Sequence, residues 1–280
     1  MKGVTVRELL AWARGLLASH LAGSLEAEIL LGHVLGVSRA WLYANGDQTV
    51  DGGKQETFRN LAERRQQGEP IAYLTGVREF WSLPLQVTPD VLIPRPETEI
   101  LVEAALDLIP TDAAWRVADL GTGSGAVALA IASERPLCEV HATELSPAAL
   151  AVAQGNGDAL LPGRVQFHLG SWLEPLQGCF QLIVSNPPYV AADDEHLRQG
   201  DCRFEPIGAL TTGEATLAAI DQIAQQSRSF LGPGGWLAME HGWDQGRQVR
   251  TLLERYGYCG VETRKDLEGR ERITRGMKKS

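Results

Sequence analysis

Apolar residues recur at helical spacing over residues 6–21 and 25–35, and a more polar amphipathic run follows over residues 54–67. Gly23-Ser24 and Gly36-Val37-Ser38 separate these runs, and each separator ends in a serine that can cap the helix after it. The pattern predicts a small helical domain over residues 1–75.

The pattern changes after residue 75. Residues 77–83 and 85–88 alternate like short strands, with Pro84 as the predicted turn between them. Pro96 suits the first turn of a helix predicted to end at Leu108. We therefore predict a β-hairpin linker over residues 76–92 and a second domain over residues 93–280.

From residue 116 onward, short apolar runs alternate with helical periods, which is typical of a doubly wound α/β fold with a largely parallel sheet. The predicted strands cover residues 116–120, 139–143, 165–169, 180–184, 236–240 and 261–265, with a short edge strand at 271–274. The predicted helices cover residues 126–133, 147–156, 214–230 and 244–256.

The composition, with 44% hydrophobic and 22% charged residues, is that of an ordinary globular protein. No stretch approaches the roughly 20 apolar residues of a membrane span, and charges interrupt the apolar period near the start. We therefore expect no signal peptide and a cytoplasmic location. The four cysteines lack C-x-x-C spacing and nearby histidines, so we expect neither disulfides nor a metal site.

A glycine-rich turn, D-L-G-T-G-S-G at residues 119–125, follows the first predicted strand of the second domain. Its G-x-G-x-G spacing favours the adenosyl cofactor of methyltransferases over a dinucleotide, whose pyrophosphate needs a longer turn. The next strand ends at Glu144, whose carboxylate can accept hydrogen bonds from both ribose hydroxyls. The alternatives are that the glycines form a plain strand-to-helix turn and that Glu144 is a solvated carboxylate. The glycine turn and the acid occur together at the expected element ends, which favours a cofactor. The predicted cofactor residues are Gly121, Thr122, Gly123, Ser124, Gly125 and Glu144.

A second motif, S-N-P-P-Y at residues 185–189, follows the strand predicted at 180–184. An amide nitrogen is a poor nucleophile, so an enzyme must hold its NH2 group with acceptors and aim it at a methyl group. Asn186 Oδ1 and the Pro187 carbonyl are the two predicted acceptors. Pro188 restricts the backbone, and the Tyr189 ring can lie flat against a planar amide or amino group. The alternative is an ordinary proline turn.

The chain resembles the release factor glutamine methyltransferases, the protein-(glutamine-N5) methyltransferases of the HemK type, over nearly its whole length. The segments that carry the resemblance are P-I-A-Y-L-T-G at 70–76, R-E-F-W at 78–81, L-I-P-R-P-E-T-E at 92–99, D-L-G-T-G-S-G at 119–125, V-S-N-P-P-Y at 184–189, D-C-R-F-E-P at 201–206, E-H-G at 240–242 and E-R-I-T at 271–274.

The resemblance implies a Rossmann-like, seven-stranded class I methyltransferase sheet and the cofactor S-adenosylmethionine. It implies N5-methylation of the glutamine in the Gly-Gly-Gln motif of peptide chain release factors 1 and 2. It places Trp172 at the adenine, counts Asn186 in both the cofactor and the substrate site, and assigns Asn186, Pro187 and Tyr189 to catalysis and Pro188 to the substrate. The helical domain and linker would dock the release factor.

The sequence departs from the family pattern at two positions. Glu144 stands where relatives carry Asp, and Ser171 stands where relatives often carry an Asp that could bond the adenine amino group. Arg95, Glu97 and Glu99 suit a salt-bridged helix start as well as they suit ligand contact, and His241 is predicted to be structural. Trp12 and Trp41 are predicted core residues.

Two alternative substrates use the same chemistry. N6-adenine and N4-cytosine nucleic-acid methyltransferases present an Asn-Pro-Pro-aromatic motif to an exocyclic amine, and a ribosomal protein could supply the glutamine. The net charge of −9, which lies entirely in residues 81–280, argues against nucleic acid, because phosphate contacts favour basic proteins. The L-I-P-R-P-E-T-E segment argues against a ribosomal protein. We expect no membrane partner.

Overall fold

The computed structural model describes residues 3–279 except residues 212 and 214. The chain forms two compact units, Met1–Gly76 and Val77–Ser280, and the hairpin belongs to the second unit. The division into a docking domain, a linker and a catalytic domain stays a prediction. Within the described residues, no helix combines the length and the apolar character that crossing a bilayer requires.

The first unit is helical, and its helices enclose a core of leucine, valine, alanine and phenylalanine side chains. Trp12 and Trp41 pack against this core while remaining partly exposed. The helices are α1 Val6–Leu16, α2 Gly23–Leu35, α3 Arg39–Ala44, α4 Gly52–Gln66 and α5 Ile71–Thr75. The short helices α3 and α5 were not predicted.

The two predicted serine caps of this unit differ in outcome. Ser38 does cap α3, because its side chain accepts from the Trp41 N–H. The prediction for Ser24 is wrong, since α2 begins at Gly23 and has no side-chain cap. The Glu26 N–H bonds to the Ala22 carbonyl oxygen at 2.9 Å, so the helix is already established before Ser24. Position 23 needs glycine, because a Cβ there would lie 2.1 Å from the Leu17 carbonyl oxygen.

The second unit opens with a hairpin of β1 Val77–Phe80 and β2 Leu83–Gln86. Phe80 pairs with Leu83, so the turn consists of Trp81 and Ser82. The predicted turn at Pro84 is wrong, because Pro84 lies in β2 opposite Glu79. Both turn residues have positive φ, 52° and 59°, as a tight two-residue turn requires, and proline cannot adopt that conformation.

A seven-stranded sheet forms the centre of this unit, in the order β5-β4-β3-β6-β7-β9-β8. The first five strands in this order run parallel, and β9 is antiparallel to both β7 and β8. The strands are β3 Arg116–Leu120, β4 Glu139–Glu144, β5 Val165–Leu169, β6 Phe180–Ser185, β7 Leu231–Glu240, β8 Tyr258–Lys265 and β9 Glu271–Lys278.

The predicted α/β fold with a largely parallel, seven-stranded sheet is thus confirmed, with one correction at the end of the sheet. The short edge strand predicted at 271–274 is wrong, because β9 is eight residues long and pairs on both sides, which leaves β8 at the edge. The charged residues of E-R-I-T-R-G-M-K, at positions 271, 272, 275 and 278, conceal this strand, since only some of its side chains are buried.

Helices cover both faces of the sheet. They are α6 Glu99–Leu108, α7 Ala126–Glu134, α8 Pro147–Leu160, α9 Ile207–Leu210, α10 Ala218–Phe230 and α11 Gly246–Arg255. Short 3-10 helices occur at Pro96–Thr98, Glu195–Arg198 and Gly200–Phe204. The predicted start of the helix before residue 230 falls on residue 214, which lies outside the described residues.

The central strands are buried on both faces, as parallel strands between two helix layers must be. Val117 and Leu182 belong to the core that includes α6 and α7, whereas Ala118 and Ile183 belong to the core that includes α10 and α11. Parallel pairing brings the carboxyl ends of β3, β4 and β6 to one edge of the sheet. Strand order reverses at β3, and open α/β sheets bind ligands at such a point.

Candidate active site

The loop after β3 has the backbone conformation that the glycine pattern predicted. Gly121, Gly123 and Gly125 have φ values of 69°, 57° and 85°, which residues with a Cβ rarely adopt. A Cβ at Gly121 would lie 3.1 Å from the Trp172 ring, so that position also needs its small size. A Cβ at Gly123 would meet open space. The loop therefore presents bare backbone beside an open volume.

Glu144, at the end of β4, is tied to this loop. Its Oε2 accepts from the Gly123 N–H at 2.9 Å, and its Oε1 accepts from the Ser146 N–H at 3.0 Å. A carboxylate has about four acceptor positions, so these two bonds leave capacity for hydroxyl donors of a ligand. The acidic residue thus fixes the loop and still faces the cavity described below.

Asp119, the last but one residue of β3, supports the same loop from within the core. Its Oδ2 accepts from the Thr122 hydroxyl at 2.6 Å and from the Ala128 N–H at 3.1 Å. Burial raises the pKa of this carboxyl to about 6, against the lowering effect of those two hydrogen bonds, and the charge of Glu144 raises it further. Asp119 therefore connects β3, the turn and α7.

A cavity of about 400 Å³ opens from the loop, within the range of about 300–1,000 Å³ for small-molecule sites. Most of the predicted site residues line it: Gly121, Thr122, Gly123, Ser124, Glu144, Trp172, Asn186 and Pro188. Gly125, Pro187 and Tyr189 are not among its described lining residues. Gly125 instead caps α7, and Pro187 is buried.

Trp172 forms one wall of the cavity, and its position is fixed on two sides. Its Nε1–H donates to Gln222 Oε1 at 3.1 Å, and its ring lies against Gly121. The residue itself has a φ of 45°, an uncommon conformation for an aromatic side chain. Ser171 lines the cavity next to it.

Asn186, directly after β6, belongs to the second motif and also lines the cavity. Its Nδ2 donates to the Thr98 hydroxyl oxygen at 3.1 Å. This bond uses the donor end of the amide and leaves Oδ1 as an acceptor. Thr98 also lines the cavity.

Tyr189 is fixed in place by hydrogen bonds to two neighbours. Its hydroxyl donates to Glu240 Oε1 at 3.0 Å, and its backbone carbonyl accepts from Gln245 Nε2 at 3.0 Å. Burial, followed by the charge of Glu240, raises the pKa of the Tyr189 phenol well above its usual value. The phenol is therefore a neutral donor to Glu240, and flat stacking on a substrate amide stays a prediction.

Arg95 has features of both predicted roles, the salt-bridged helix start and the ligand contact. Its guanidinium pairs with Glu205, whose side chain is fully buried and whose Oε1 also accepts from the Ile93 N–H. Arg95 lines the cavity as well. Glu99 accepts from the Trp81 N–H at 3.0 Å, so it holds the hairpin turn, whereas Glu97 is exposed.

His241 has the structural contacts predicted for it. It is fully buried, with Nε2 2.8 Å from Thr274 Oγ1 and Nδ1 2.8 Å from the Gly242 carbonyl oxygen. Burial lowers the pKa of its imidazole. The ring therefore joins the end of β7 to β9.

Four side chains of the site received no individual role from the sequence. Asp119, Thr98, Glu205 and Glu240 occur inside the family segments, but their partners lie 3 to 112 residues away along the chain. Each residue type is ordinary for a helix start or strand end. Their only sequence signal was membership in those segments.

Similarity to known proteins follows the two units of the chain. Residues 8–76 match the model of the PrmC N-terminal domain, and residues 97–201 match that of the methyltransferase small domain. A release factor glutamine methyltransferase from Salmonella typhimurium is 50% identical over 252 residues, covering 90% of this chain and 91% of the relative. Its namesake from Bordetella pertussis is 52% identical over 265 residues, covering 94% and 98%.

A solved structure of a T. thermophilus 16S rRNA N2 G1207 methyltransferase in complex with AdoMet and guanosine shares the fold. Its TM-score is 0.54 at 20% identity, covering 72% of this chain and 50% of that one.

Proposed function

Because the chain belongs to the release factor glutamine methyltransferases, we propose that it transfers the methyl group of S-adenosylmethionine to N5 of the glutamine in the Gly-Gly-Gln motif of peptide chain release factors 1 and 2. The family resemblance of the sequence is confirmed, and the chain is a methyltransferase. The observation that carries the finer proposal is Asn186, whose amide offers Oδ1 at the border of a cavity that begins at the glycine loop.

The cavity fits S-adenosylmethionine, which supplies an activated methyl group on a sulfonium when bound. Bare backbone at Gly121 and Gly123 admits a ligand close to the loop, and Glu144 retains acceptor positions for the ribose hydroxyls. Trp172 offers a fixed aromatic wall for the adenine. The same proposal includes Thr122, Ser124, Gly125 and Asn186 as cofactor residues.

The second motif would hold the acceptor amide. Asn186 Oδ1 and the Pro187 carbonyl accept from the two N–H groups of the glutamine, which directs its nitrogen lone pair at the methyl carbon. Pro188 and Tyr189 shape the rest of the substrate site. The proton leaves after the nitrogen has become cationic, so the chain needs no strong base there.

The helical unit and the hairpin would dock the release factor, as the resemblance implies. The match of residues 8–76 to the PrmC N-terminal domain supports this part of the proposal. Since release factors work in the cytoplasm, the proposed reaction takes place there.

Transfer of a labelled methyl group from S-adenosylmethionine to purified release factor tests the proposal. A release factor with Ala in place of the Gly-Gly-Gln glutamine is the matched control. We expect label on the first protein and none on the second. Label on both would contradict the target residue, and label only on ribosomal protein or on oligonucleotide would replace the proposed substrate by one of the two alternatives.

A further inference from the structure

Thr98 is the last residue of the 3-10 turn Pro96–Thr98 that leads directly into α6, and its φ of −68° and ψ of −17° are helical. Its side chain makes no capping bond to α6. The hydroxyl oxygen instead accepts from Asn186 Nδ2, 88 residues away. Thr98 is 4% exposed. A buried threonine at this helix start therefore contacts the second motif.

A buried carboxyl lies behind this contact. Glu240, at the end of β7, is 2% exposed, and its Oε1 accepts from the Tyr189 hydroxyl. Its Oε2 is buried without a hydrogen-bond partner among the described residues. Burial raises the pKa of Glu240, and the hydroxyls of Thr98 and Tyr189 oppose that effect. The Thr98 hydroxyl thus lies close enough to act on this carboxyl, whose Oε2 keeps an acceptor position toward which the Thr98 proton can turn.

These contacts give the Asn186 amide a direction. A hydroxyl has one proton, and when that proton points to a carboxyl, only its oxygen lone pairs remain for a third group. The Asn186 NH2 group can then donate to the Thr98 hydroxyl oxygen. If the amide were reversed, Asn186 Oδ1 would face the lone pairs of that oxygen, and two acceptors would meet. Reversal would also turn NH2 toward the substrate NH2, where two donors meet.

We propose that Thr98, backed by Glu240, is a positioning residue that fixes the Asn186 amide with Oδ1 toward the methyl acceptor. This inference rests on the proposed function, in which Oδ1 accepts from the substrate amide. It adds that the 3-10 turn before α6 takes part in aligning the acceptor.

Thr98→Val tests the inference, because it removes the hydroxyl at nearly constant shape. We expect kcat for methyl transfer to fall at least about tenfold, since one positioning hydrogen bond is lost, with Kd for S-adenosylmethionine within about twofold of wild type. Thr98→Ser, which keeps the hydroxyl, should recover kcat to within about threefold. Unchanged kcat in Thr98→Val, or equal losses in both variants, would overturn the proposal.

Two further variants separate this effect from general loss of packing. Ser227→Ala removes a hydroxyl that is fully buried in α10 and has no partner among the described residues, so kcat should not change. Glu240→Gln replaces an acceptor-only group by one that also donates, and kcat should fall at least about threefold even if Thr98→Val does not fold. Wild-type kcat in Glu240→Gln would remove Glu240 from the proposal.

An NMR measurement decides the inference even if release factor is not the substrate. In 15N-labelled full-length protein, the side-chain NH2 signals of Asn186 should be protected from exchange and should show contacts with Thr98 protons. Thr98→Val should shift these signals and speed their exchange, and Thr98→Ser should not. Absence of the protected signals in wild type would overturn the orientation itself, whatever the methyl acceptor is.

Discussion

Single residues contribute to the site in different ways, and Asn186 should act mainly on the rate of methyl transfer. Its Nδ2 bonds to Thr98, and the residue lines the cavity, where we propose that Oδ1 accepts from the substrate amide. In Asn186→Ala we expect kcat to fall about a hundredfold or more, because aligning a poor nucleophile is the main catalytic resource. Calorimetry should give nearly unchanged affinity for S-adenosylmethionine. Normal turnover would remove Asn186 from the mechanism.

Glu144 should act mainly on cofactor binding and less on the rate of methyl transfer. Glu144→Ala removes the charged acceptor of the Gly123 and Ser146 N–H groups and of the proposed ribose hydroxyls. We expect Kd for the cofactor to rise at least about tenfold, the value of one or more charged hydrogen bonds. Glu139→Ala, at the exposed start of the same strand, is the matched control and should bind normally. Equal affinity in both variants would contradict the assignment.

Asp119 should make stability depend on pH. Burial raises its pKa to about 6, whereas an unfolded Asp titrates near about 3.9. Below the lower value both states are protonated, and between the two values only the folded state keeps the proton. The stabilisation is therefore present at low pH and is lost as pH rises through about 6, by at most about 3 kcal/mol.

Asp119→Asn cannot titrate and isolates this contribution. The free energy of unfolding of wild type minus that of the variant, measured in urea between pH 4 and 7, should decrease as pH rises. A difference that stays constant over this range would mean that folding does not raise the pKa of Asp119.

At the scale of elements, the hairpin turn combines two residues in a left-handed conformation. Ser82 is exposed and has a φ of 59°. Replacing it by glycine therefore removes only a side chain that lies in solvent. Ser82→Gly should raise the free energy of unfolding by about 0.5–1 kcal/mol, because glycine adopts positive φ without a Cβ clash. Ser82→Ala keeps the clash and should give no gain. Equal gains would show that backbone strain is not the cause.

The glycine loop and the hairpin turn show which local conformations the sequence predicts and which it does not. Glycine spacing at residues 121–125 predicts its loop, because a backbone conformation is a local property. The turn at Trp81-Ser82 was missed, since neither residue is typical of positive φ and Pro84 gave a stronger local signal. The Thr98–Asn186 and Tyr189–Glu240 bonds join separate elements, so only the folded sheet brings them together.

At the scale of the whole molecule, the net charge favours a protein substrate over a nucleic acid. The formal net charge of −9 lies in residues 81–280, the unit that contains the cavity. A long polyanion gains affinity by releasing counterions to basic side chains, and an acidic protein surface opposes this. The shared fold with an rRNA methyltransferase does not change that electrostatic argument.

We therefore expect no binding of a labelled RNA hairpin or DNA duplex, measured by fluorescence anisotropy at about 150 mM salt, a condition under which basic proteins still bind non-specifically. An excess of either nucleic acid should leave methyl transfer to release factor unchanged. The same titration at low salt is the control, because non-specific attraction would first appear there and would weaken steeply as salt is added. Saturable binding that survives about 150 mM salt and inhibits transfer to release factor would instead make a nucleic-acid amine the favoured methyl acceptor.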